Sequence, residues 1–514
     1  MNTRLSPEAQ CTGWYSRRRF LWSMGAGTAI KGRAQTRSSR PNILLLMTDQ
    51  HRADCIGAGG NKVIQTPNLN HLASTGVLFG HAYSSTPTCT PARAALLTGQ
   101  SPWSHGMLGY GKVAEHYPVE MPRLLRDAGY YTTGIGKMHW SPQRALHGFH
   151  ETILDESGRV ESPGFVSDYR EWLRSQLPGA NPEPTGIDWN GYDAKPFPLP
   201  DRFHPTAWVA ETAVRWLKDY HRPEPFFLEV SFERPHSPYD PPRRWWDHYA
   251  ETALPPARAG KWAEPFRTPS GNGPDIWHGD LGAATVRNSR RGYYGSVSFV
   301  DQEIGRILET LDQRRMLDDT LILMLADHGD MLGDQYLWRK SYAYQASAAI
   351  PLIVRPPKGW LLESRGRSLA HPVEIRDVLP TLLEAAGAPI PEAVEGRSLF
   401  GPMRNPAAPW REWIDLEHDV CYSPQNHWNA MTDGRCKYIF HARTGEEQFF
   451  DLAADPYELN DLAGDAARAA EVGDWRSRLT AHLAVRGEPW VIKGRLGLRP
   501  SSQLYSPNYP KKGH

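Results

Sequence analysis

Four apolar runs of strand length recur along the chain, and each ends in polar or ionisable residues. They cover residues 42–47, 131–135, 226–232 and 320–325. Continuous apolar runs of this length are typical of strands buried on both faces of a parallel sheet. Helical patterns lie between them, at residues 121–128, 206–220 and 297–313. Strands that alternate with helices predict an α/β fold, with a mostly parallel sheet covered by helices on both faces.

The residues that follow these four runs are candidates for a functional site. The segments are Thr48-Asp49-Gln50, Gly136-Lys137-Met138-His139, Glu233-Arg234-Pro235-His236 and Ala326-Asp327-His328-Gly329. In open parallel sheets, ligands bind beyond the carboxyl ends of the strands. A single Asp or His after a strand is usually a turn residue, and the segment at 326–329 alone could be an Asx-turn. Four such ends together predict a site.

The remaining segments indicate how the chain is divided. Residues 154–201 and 239–280 are rich in Pro, Gly and Trp, and long irregular insertions of this kind are usually functional loops. Short strand-like pieces beyond Phe400 precede a helical pattern; they lie at residues 428–432, 437–440 and 448–452, and the helix at 466–484. We expect a main domain over residues 37–400 and a smaller C-terminal α+β subdomain with an extended tail over residues 401–514.

The charge balance limits the classes of partner. The 514 residues include 58 Lys and Arg against 57 Asp and Glu, which gives no reason to expect a nucleic acid or an anionic membrane as the main partner. No apolar run approaches the roughly 20 residues of a membrane-spanning helix. We therefore expect neither nucleic-acid binding nor a membrane span.

The N-terminal residues 1–36 resemble an export signal. Ser16-Arg17-Arg18-Arg19-Phe20-Leu21 precedes a short apolar stretch that ends near Ile30, and Ala34 follows. This pattern is typical of twin-arginine (Tat) signals, which carry folded proteins across a bacterial inner membrane. The alternative is a basic tail without a function. The interpretation as a signal predicts Tat export machinery as a partner and a periplasmic or secreted protein.

Few cysteines remain once this segment is removed. Cys55, Cys89, Cys421 and Cys436 are left, too few for a disulfide framework in a chain of this length. A bridge between Cys421 and Cys436 is one interpretation, and two small buried hydrophobic residues are the other.

One of these cysteines begins a motif with its own chemistry. Cys89-Thr90-Pro91-Ala92-Arg93 leads into an apolar run that ends at Gly99. Pro91 is suited to the first turn of a helix and Gly99 to its end. Cys89 would then lie at a helix N-terminus, where free N–H groups favour an anion, and Arg93 would reach the same anion from one turn later. The alternative is an ordinary buried thiol.

This motif resembles the signature of the type I sulfatases, members of the alkaline-phosphatase-like superfamily, in which a maturase oxidises the cysteine to formylglycine. The resemblance covers nearly the whole predicted mature chain. It also includes Asp49, Gly136-Lys137-Met138-His139, Pro235-His236, Asp327-His328-Gly329, the segment 333–340 and Phe450-Asp451-Leu452-Ala453-Ala454-Asp455-Pro456. The resemblance implies hydrolysis of a sulfate ester and a formylglycine-generating maturase as a partner.

The resemblance also implies a role for each residue. The formylglycine would form a geminal diol, of which one hydroxyl attacks sulfur and the other then expels sulfate. Arg93, Lys137 and Lys340 would hold the sulfate and neutralise its charge. His139 would take the proton of the second hydroxyl. His236, helped by Lys340, would protonate the departing alcohol.

A divalent metal completes the implied site. Asp49, Gln50, Asp327 and His328 would be its ligands, together with residue 89. Two positions depart from the commonest family pattern, because Gln50 replaces a usual Asp and His328 a frequent Asn. An oxygen-rich site favours Ca²⁺, which we expect first, whereas the imidazole keeps Mn²⁺ as the alternative.

Other functions stay open at this point. Our leading hypothesis is an exported sulfatase of sulfated carbohydrate, the sugar being inferred from export, neutral charge and long aromatic loops. A related group that hydrolyses phosphonate monoesters and phosphodiesters also has Gln after the first Asp, which makes that activity the first alternative. A non-catalytic sulfoglycan-binding protein is the second, and it would lack one or more of the implied residues, all of which are present. Lys340 could also be a solvated charge, and His236 could serve only to shape its Pro-rich loop.

Overall fold

A mixed eight-stranded sheet is the principal element of the computed structural model, which describes residues 40–157, 159, 162–274, 276–360, 362–424 and 426–510. Its strands are β1 (Asn42–Asp49), β2 (Val77–Tyr83), β3 (Tyr131–Gly136), β4 (Glu151–Leu154), β5 (Phe226–Pro235), β6 (Thr320–Ala326), β7 (Leu352–Arg355) and β8 (Arg367–Glu374). Their order is β4-β3-β5-β1-β6-β7-β2-β8. All neighbours run parallel except β7, which pairs antiparallel with β6 and β2.

Helices cover both faces of this sheet. The helices of the chain are α1 (Pro67–Thr75), α2 (Cys89–Thr98), α3 (Pro102–His105), α4 (Met121–Asp127), α5 (Asp168–Gln176), α6 (Pro205–Asp219), α7 (Arg243–His248), α8 (Ala283–Gln313), α9 (Gln345–Ala348), α10 (Val378–Ala386), α11 (Phe400–Arg404) and α12 (Ala469–Ala484). Alternate residues of the central strand β1 belong to different cores. Ile43, Leu45 and Met47 pack with α2, α4 and α10, and Leu44 and Leu46 pack with α1, α6 and α8.

This two-sided burial explains why the central strands read as uninterrupted apolar runs. The five apolar residues of β1 from Ile43 to Met47 are all fully buried, and each such side chain stabilises the fold by about 1.5–3 kcal/mol. Period-2 alternation is absent because neither face of the strand meets water. The predicted fold class, a mostly parallel sheet between helices, is confirmed.

The C-terminal region forms a smaller antiparallel sheet. Its strands are β9 (Ile414–His418), β10 (Trp428–Thr432), β11 (Cys436–His441) and β12 (Glu447–Asp451), in the order β12-β11-β10-β9, and β13 (Val491–Ile492) pairs with β14 (Arg495–Leu496) farther along. Trp475 and Leu479 of α12 pack with Tyr438 and Phe449 of the sheet. The predicted α+β subdomain is confirmed, whereas Phe400 itself lies in the core of the large sheet. The division at residues 400 and 401 stays a prediction.

Two helices depart from the sequence pattern for identifiable reasons. α8 begins at Ala283, well before the predicted residue 297, because its first turns carry arginines whose guanidinium groups bind loop carbonyls. Arg290 donates to Leu332 O, and Arg291 donates to Trp246 O. α5 lies inside the segment predicted as irregular. Its signal was the cap residue Ser167, whose hydroxyl accepts from the N–H of Arg170.

Three further expectations concern export, membranes and disulfides. The predicted export signal at residues 1–36 lies outside the described residues. Within the described part of the chain, no helix combines the length and the apolar character needed to cross a membrane. Cys421 and Cys436 are both free thiols, so they form no disulfide with each other here.

Candidate active site

The predicted residues meet at one edge of the large sheet, beyond the ends of four adjacent parallel strands. β3, β5, β1 and β6 are neighbours in this order, and the backbone ladder continues past their ends. The N–H of His236 donates to Asp49 O at 3.1 Å, and that of Asp327 donates to Thr48 O at 3.3 Å. The N–H of Lys137 likewise donates to Ser231 O at 2.9 Å. These bonds fix the start of each loop, so the side chains that follow are directed to one place.

Four side chains form a compact cluster of metal-ligand type. The ligand atoms of Asp49, Cys89, Asp327 and His328 all lie within 4.8 Å of one another, and all four residues are buried. Nε2 of His328 is 3.7 Å from Oδ1 of Asp49 and 3.6 Å from Oδ1 of Asp327. Nδ1 of His328 donates to Gly329 O at 2.9 Å, which leaves Nε2 as the ligand atom.

The donor set of this cluster fits a divalent cation. In both Asp49 and Asp327, Oδ2 pairs with a basic side chain and Oδ1 faces the centre of the cluster. Oδ2 of Asp49 pairs with Lys137, and Oδ2 of Asp327 is 3.2 Å from Nε of Arg93. Oδ1 of Asp49 and Oδ1 of Asp327 converge on Nε2 of His328, and Oδ1 of Asp327 also accepts from the N–H groups of Gln50 and His328 at 3.0 Å. A divalent cation bound at this point would be neutralised by both carboxylates. The residues present therefore suit a metal with oxygen and imidazole ligands.

The side chain of Gln50 is held between Lys340 and Asp330, a carboxylate outside the cluster. Its Nε2 donates to Oδ2 of Asp330 at 2.5 Å, and its Oε1 accepts from Nζ of Lys340 at 3.0 Å. Because a carboxylate only accepts hydrogen bonds, Asp330 fixes which end of the amide is the oxygen. Asp330 is fixed in turn by the hydroxyl of Tyr239 at 2.5 Å. Gln50 thus presents an oxygen to the side on which Cys89 lies.

Cys89 begins α2, as the motif predicted, and its sulfur lies among charged groups. Sγ is 3.2 Å from Nε2 of His328, 3.2 Å from Nζ of Lys340 and 3.7 Å from Oδ1 of Asp49. Burial and the charge of Asp49 favour the neutral thiol. The positive charges of Lys340, His328 and Lys137 outweigh them and lower the pKa of Cys89 to about 7.

Arg93 connects the helix to the ends of four strands. Besides Asp327, its guanidinium contacts Oδ2 of Asp49 at 3.4 Å, Oγ of Ser231 at 3.1 Å and the carbonyl oxygen of Lys137. Burial raises the pKa of Asp49, but Lys137, His236, Lys340 and Arg93 together hold it well below its usual value. Asp49 is therefore ionised and available as a ligand.

His236 and Lys340 share a proton beside the sulfur of Cys89. Nζ of Lys340 is 2.7 Å from Nε2 of His236, and Nδ1 of His236 donates to Ser237 O at 2.9 Å. Burial and the charge of Lys340 lower the pKa of His236 well below its usual value. The imidazole is therefore neutral and accepts a hydrogen bond from the ammonium group.

His139 reaches the same edge from the loop after β3. The N–H groups of Met138 and His139 both donate to Oε1 of Glu156 at 2.9 Å, and the ring of Tyr110 lies 6.0 Å from the imidazole, edge to face. Burial, followed by the charges of Arg159 and Lys137, lowers the pKa of His139 well below its usual value. A neutral imidazole at this place is suited to accept a proton.

All ten predicted site residues thus lie at this edge, and their individual roles stay predictions. The sequence analysis did not identify Asp330, Arg159 or Trp189. The Trp189 ring stacks on His236, with centroids 6.3 Å apart and 12° between planes, and Arg159 lies over the same Trp ring. For Arg159 and Trp189, the only signal in the sequence was their position in residues 154–201, because a lone Arg or Trp in a loop carries no chemistry of its own.

Comparisons with known proteins agree with this geometry. A family model described as Sulfatase matches residues 41–388, and one described as N-sulphoglucosamine sulphohydrolase, C-terminal, matches residues 333–484. The chain is 35% identical over 475 residues to an arylsulfatase of Clostridium perfringens, covering 89% of this chain and 97% of that protein. It is 33% identical over 480 residues to a choline-sulfatase of Rhizobium meliloti, covering 89% and 88%.

A solved structure shows the same architecture. The phosphonate monoester hydrolase of Agrobacterium radiobacter is similar with a TM-score of 0.73 at 27% identity, over 90% of this chain and 100% of that one. Most of the chain, from β1 to α10, is covered by the first family model. The chain belongs to the sulfatase family and is a sulfuric ester hydrolase.

Proposed function

We propose that this sulfatase removes sulfate from a sulfated carbohydrate or related alcohol, with formylglycine made from Cys89 and one divalent metal. The observation that carries the proposal is the position of Sγ of Cys89, 3.2 Å from both Nε2 of His328 and Nζ of Lys340. A nucleophile at this point is adjacent to the metal-ligand cluster and to the proton-carrying pair at once.

The chain's own side chains account for binding of the metal and of the sulfate. Asp49, Gln50, Asp327 and His328 would hold the metal, which when bound supplies positive charge that activates the nucleophile and polarises the sulfate. Ca²⁺ is the metal that we propose first, with Mn²⁺ as the alternative. Arg93, Lys137 and Lys340 surround the same point as three fixed cations, so they orient the sulfate without reorganisation.

Proton transfer to the leaving alcohol falls to the pair of Lys340 and His236. The short contact between Nζ and Nε2, with His236 neutral, supports Lys340 as the group that carries the proton before the reaction. His236 would take this proton from Lys340 through Nε2 and deliver it to the departing alcohol. His139, also neutral, would take the proton that is released when sulfate leaves the residue at position 89.

Peptide mass spectrometry on active protein tests the maturation of Cys89. Conversion of the thiol to the aldehyde lowers the peptide mass by about 18 Da. We expect this loss in active preparations, and Cys89→Ala should fold with unchanged thermal stability and lose turnover. Full activity with wholly unmodified Cys89 would refute the role of formylglycine.

A second candidate activity is hydrolysis of phosphonate monoesters or phosphodiesters. Gln50 at the second ligand position and the likeness to a phosphonate monoester hydrolase favour it. The two activities are separated by kcat/KM on 4-nitrophenyl sulfate and on 4-nitrophenyl phenylphosphonate, measured on the same preparation. A higher kcat/KM for the phosphonate would make the second candidate the main activity.

We also propose that the protein is exported through the twin-arginine route to the periplasm or beyond. The support is the arginine pair at Arg17-Arg18 with Phe20-Leu21 and the short apolar stretch that follows. Replacing both arginines by lysine should leave the protein in the cytoplasm of a bacterial host, as measured by cell fractionation. Unchanged export of that double variant would contradict the proposal.

A further inference from the structure

A buried arginine beside the candidate active site forms no side-chain hydrogen bond with any residue that the structure describes. Arg159 is only 7% exposed, and within the described ranges no hydrogen-bond acceptor lies near its Nε, Nη1 or Nη2. Its backbone is fixed, since its N–H donates to Glu156 O at 3.0 Å and its carbonyl accepts from Nε2 of Gln143 at 2.9 Å. A desolvated guanidinium whose N–H groups have no acceptors is costly, so such a group usually serves a ligand.

The guanidinium belongs to a row of three stacked groups. Cζ of Arg159 lies 4.9 Å from the ring centroid of Trp189, and this ring stacks in turn on the imidazole of His236. Trp189 is 38% exposed, so solvent reaches the row at its middle member, between the buried His236 and Arg159. An alcohol that leaves from His236 and Lys340 would lie along this row.

The electrostatics place Arg159 at the same pocket. Burial, followed by the charge of Arg159, lowers the pKa of His139. Glu156, on the same loop, accepts two backbone N–H groups through Oε1 and no hydrogen bond from the guanidinium of Arg159. In the proposed function, the transferred sulfate would already face Arg93, Lys137 and Lys340. A further guanidinium is therefore in excess of what one sulfate needs.

We propose that Arg159 and Trp189 form a subsite for a second anionic group, a carboxylate or a second sulfate, on the alcohol part of the substrate. The inference rests on the proposed sulfatase function and narrows it to sulfate esters of acidic saccharides or similar dianions. Arg159 offers two parallel N–H donors to such a group, and Trp189 provides a flat face for the ring that carries it. A cationic alcohol such as choline would be disfavoured there.

The test compares substrates that differ only in the second charge. Wild type and Arg159→Met are assayed on 3-carboxy-4-nitrophenyl sulfate and its methyl ester, and on glucosamine 6-sulfate with either an N-sulfate or an N-acetyl group. We expect wild type to prefer the charged member of at least one pair. Arg159→Met should reduce that preference by about 10- to 100-fold, mainly through KM, because one charge-assisted bidentate contact is lost. The two pairs show whether the subsite takes a carboxylate or a sulfate.

Two further variants keep the test interpretable. Arg222 lies 3.9 Å over the ring of Tyr131 at the opposite end of β3, so Arg222→Met removes a stacked arginine far from the site and should leave the preference unchanged. Arg159→Lys keeps the charge without the planar fork and should retain part of the preference. If Arg159→Met melts at a much lower temperature than wild type, Arg159→Lys is used for the comparison in its place.

The possible failures are distinguishable. If wild type prefers the charged member of neither pair, or if Arg159→Met lowers kcat/KM equally on both members, the subsite is refuted while sulfatase activity stands. An equal loss of kcat/KM on both members of a pair would mean that Arg159 contacts the transferred sulfate and not a second anionic group. Absence of turnover on all four sulfates and on 4-nitrophenyl sulfate would refute the proposed function itself.

Discussion

At the residue scale, the orientation of Gln50 depends on one neighbouring carboxylate. A neutral amide is a weaker ligand than a carboxylate, and its oxygen must face the metal. Asp330 imposes that orientation because it accepts from Nε2 of Gln50. At the proposed metal site, Gln50 brings no negative charge where an Asp is usual. The carboxylate of Asp330 lies behind it, where it also accepts from Tyr239.

We predict that Asp330→Asn weakens metal binding by about 10- to 100-fold, because the amide of Gln50 is then free to turn its nitrogen to the metal. The measurement is metal content after dialysis against a graded series of chelator concentrations. Tyr239→Phe is the matched control, since it removes a different hydrogen bond of the same Asp330 oxygen and leaves the contact to Gln50. Equal metal loss in both variants would show that Asp330 acts only through packing.

The neutral imidazole of His236 is in contact with the charged ammonium group of Lys340. If this pair protonates the leaving alcohol, the loss of His236 should affect substrates according to how much their leaving group needs a proton. A sugar alkoxide needs a proton in order to leave, whereas nitrophenolate hardly does. His236→Ala should therefore lower kcat on a sugar sulfate by about 10²–10⁴-fold and on 4-nitrophenyl sulfate far less. His139→Ala, whose role follows departure of the alcohol, should slow both substrates and trap sulfated enzyme, detectable by mass spectrometry. Equal losses for His236→Ala would leave proton donation to Lys340 alone.

At the scale of the element, the end of β3 depends on a glycine. Gly136 has a φ of 96°, and a Cβ there would overlap the carbonyl oxygen of Ser231 on β5. That same oxygen accepts from the N–H of Lys137. The close approach of β3 and β5 at this point is therefore what brings Lys137 and His139 into the site.

Gly136→Ala should lower the free energy of unfolding by about 3–5 kcal/mol, through overlap in addition to strain at positive φ. Gly60→Ala is the control, because Gly60 has a φ of 100° but no atom within 4 Å of the added Cβ. This control should cost only about 1–2 kcal/mol. Calorimetric melting of the three proteins measures the difference. Similar melting temperatures for both variants would mean that backbone strain alone matters at Gly136.

Elements whose environment is uniform were predictable, and those that depend on remote partners were not. β1 and β6 could be identified from their sequences because both faces are buried, which leaves only apolar residues. β8 (Arg367–Glu374) was missed because it is an edge strand with exposed positions at its start. Asp49 and Asp327 could be predicted from strand ends, but Arg159 could not, since its burial depends on how the loop after β4 folds over the site.

At the scale of the whole molecule, a charge network links the small sheet to the large one. Asp415 of β9 accepts from Arg376, which follows β8, at 2.5 Å. Its other oxygen, Oδ2, is 3.3 Å from Nε2 of His482 on α12. Burial raises the pKa of Asp415, but Arg376 and His482 hold it well below its usual value. The carboxylate of Asp415 thus connects β9 of the small sheet to the segment that follows β8 of the large sheet and to α12.

The protonation of His482 makes this link sensitive to pH. Burial alone would lower the pKa of His482. The charge of Asp415 has the larger, opposite effect, so the pKa in the folded protein lies above the usual value of about 6.5. A raised histidine pKa stabilises the fold fully below pH 6.5, and the contribution is lost as the pH rises through the folded pKa. His482→Gln should therefore cost about 1 kcal/mol at pH 5.5, a lowering of the melting midpoint by about 1–2 °C, and almost nothing at pH 9. His71→Gln, which changes an exposed histidine of α1, should show no such dependence. A deficit of His482→Gln that stays constant from pH 5.5 to 9 would show that His482 contributes through packing and not through its charge.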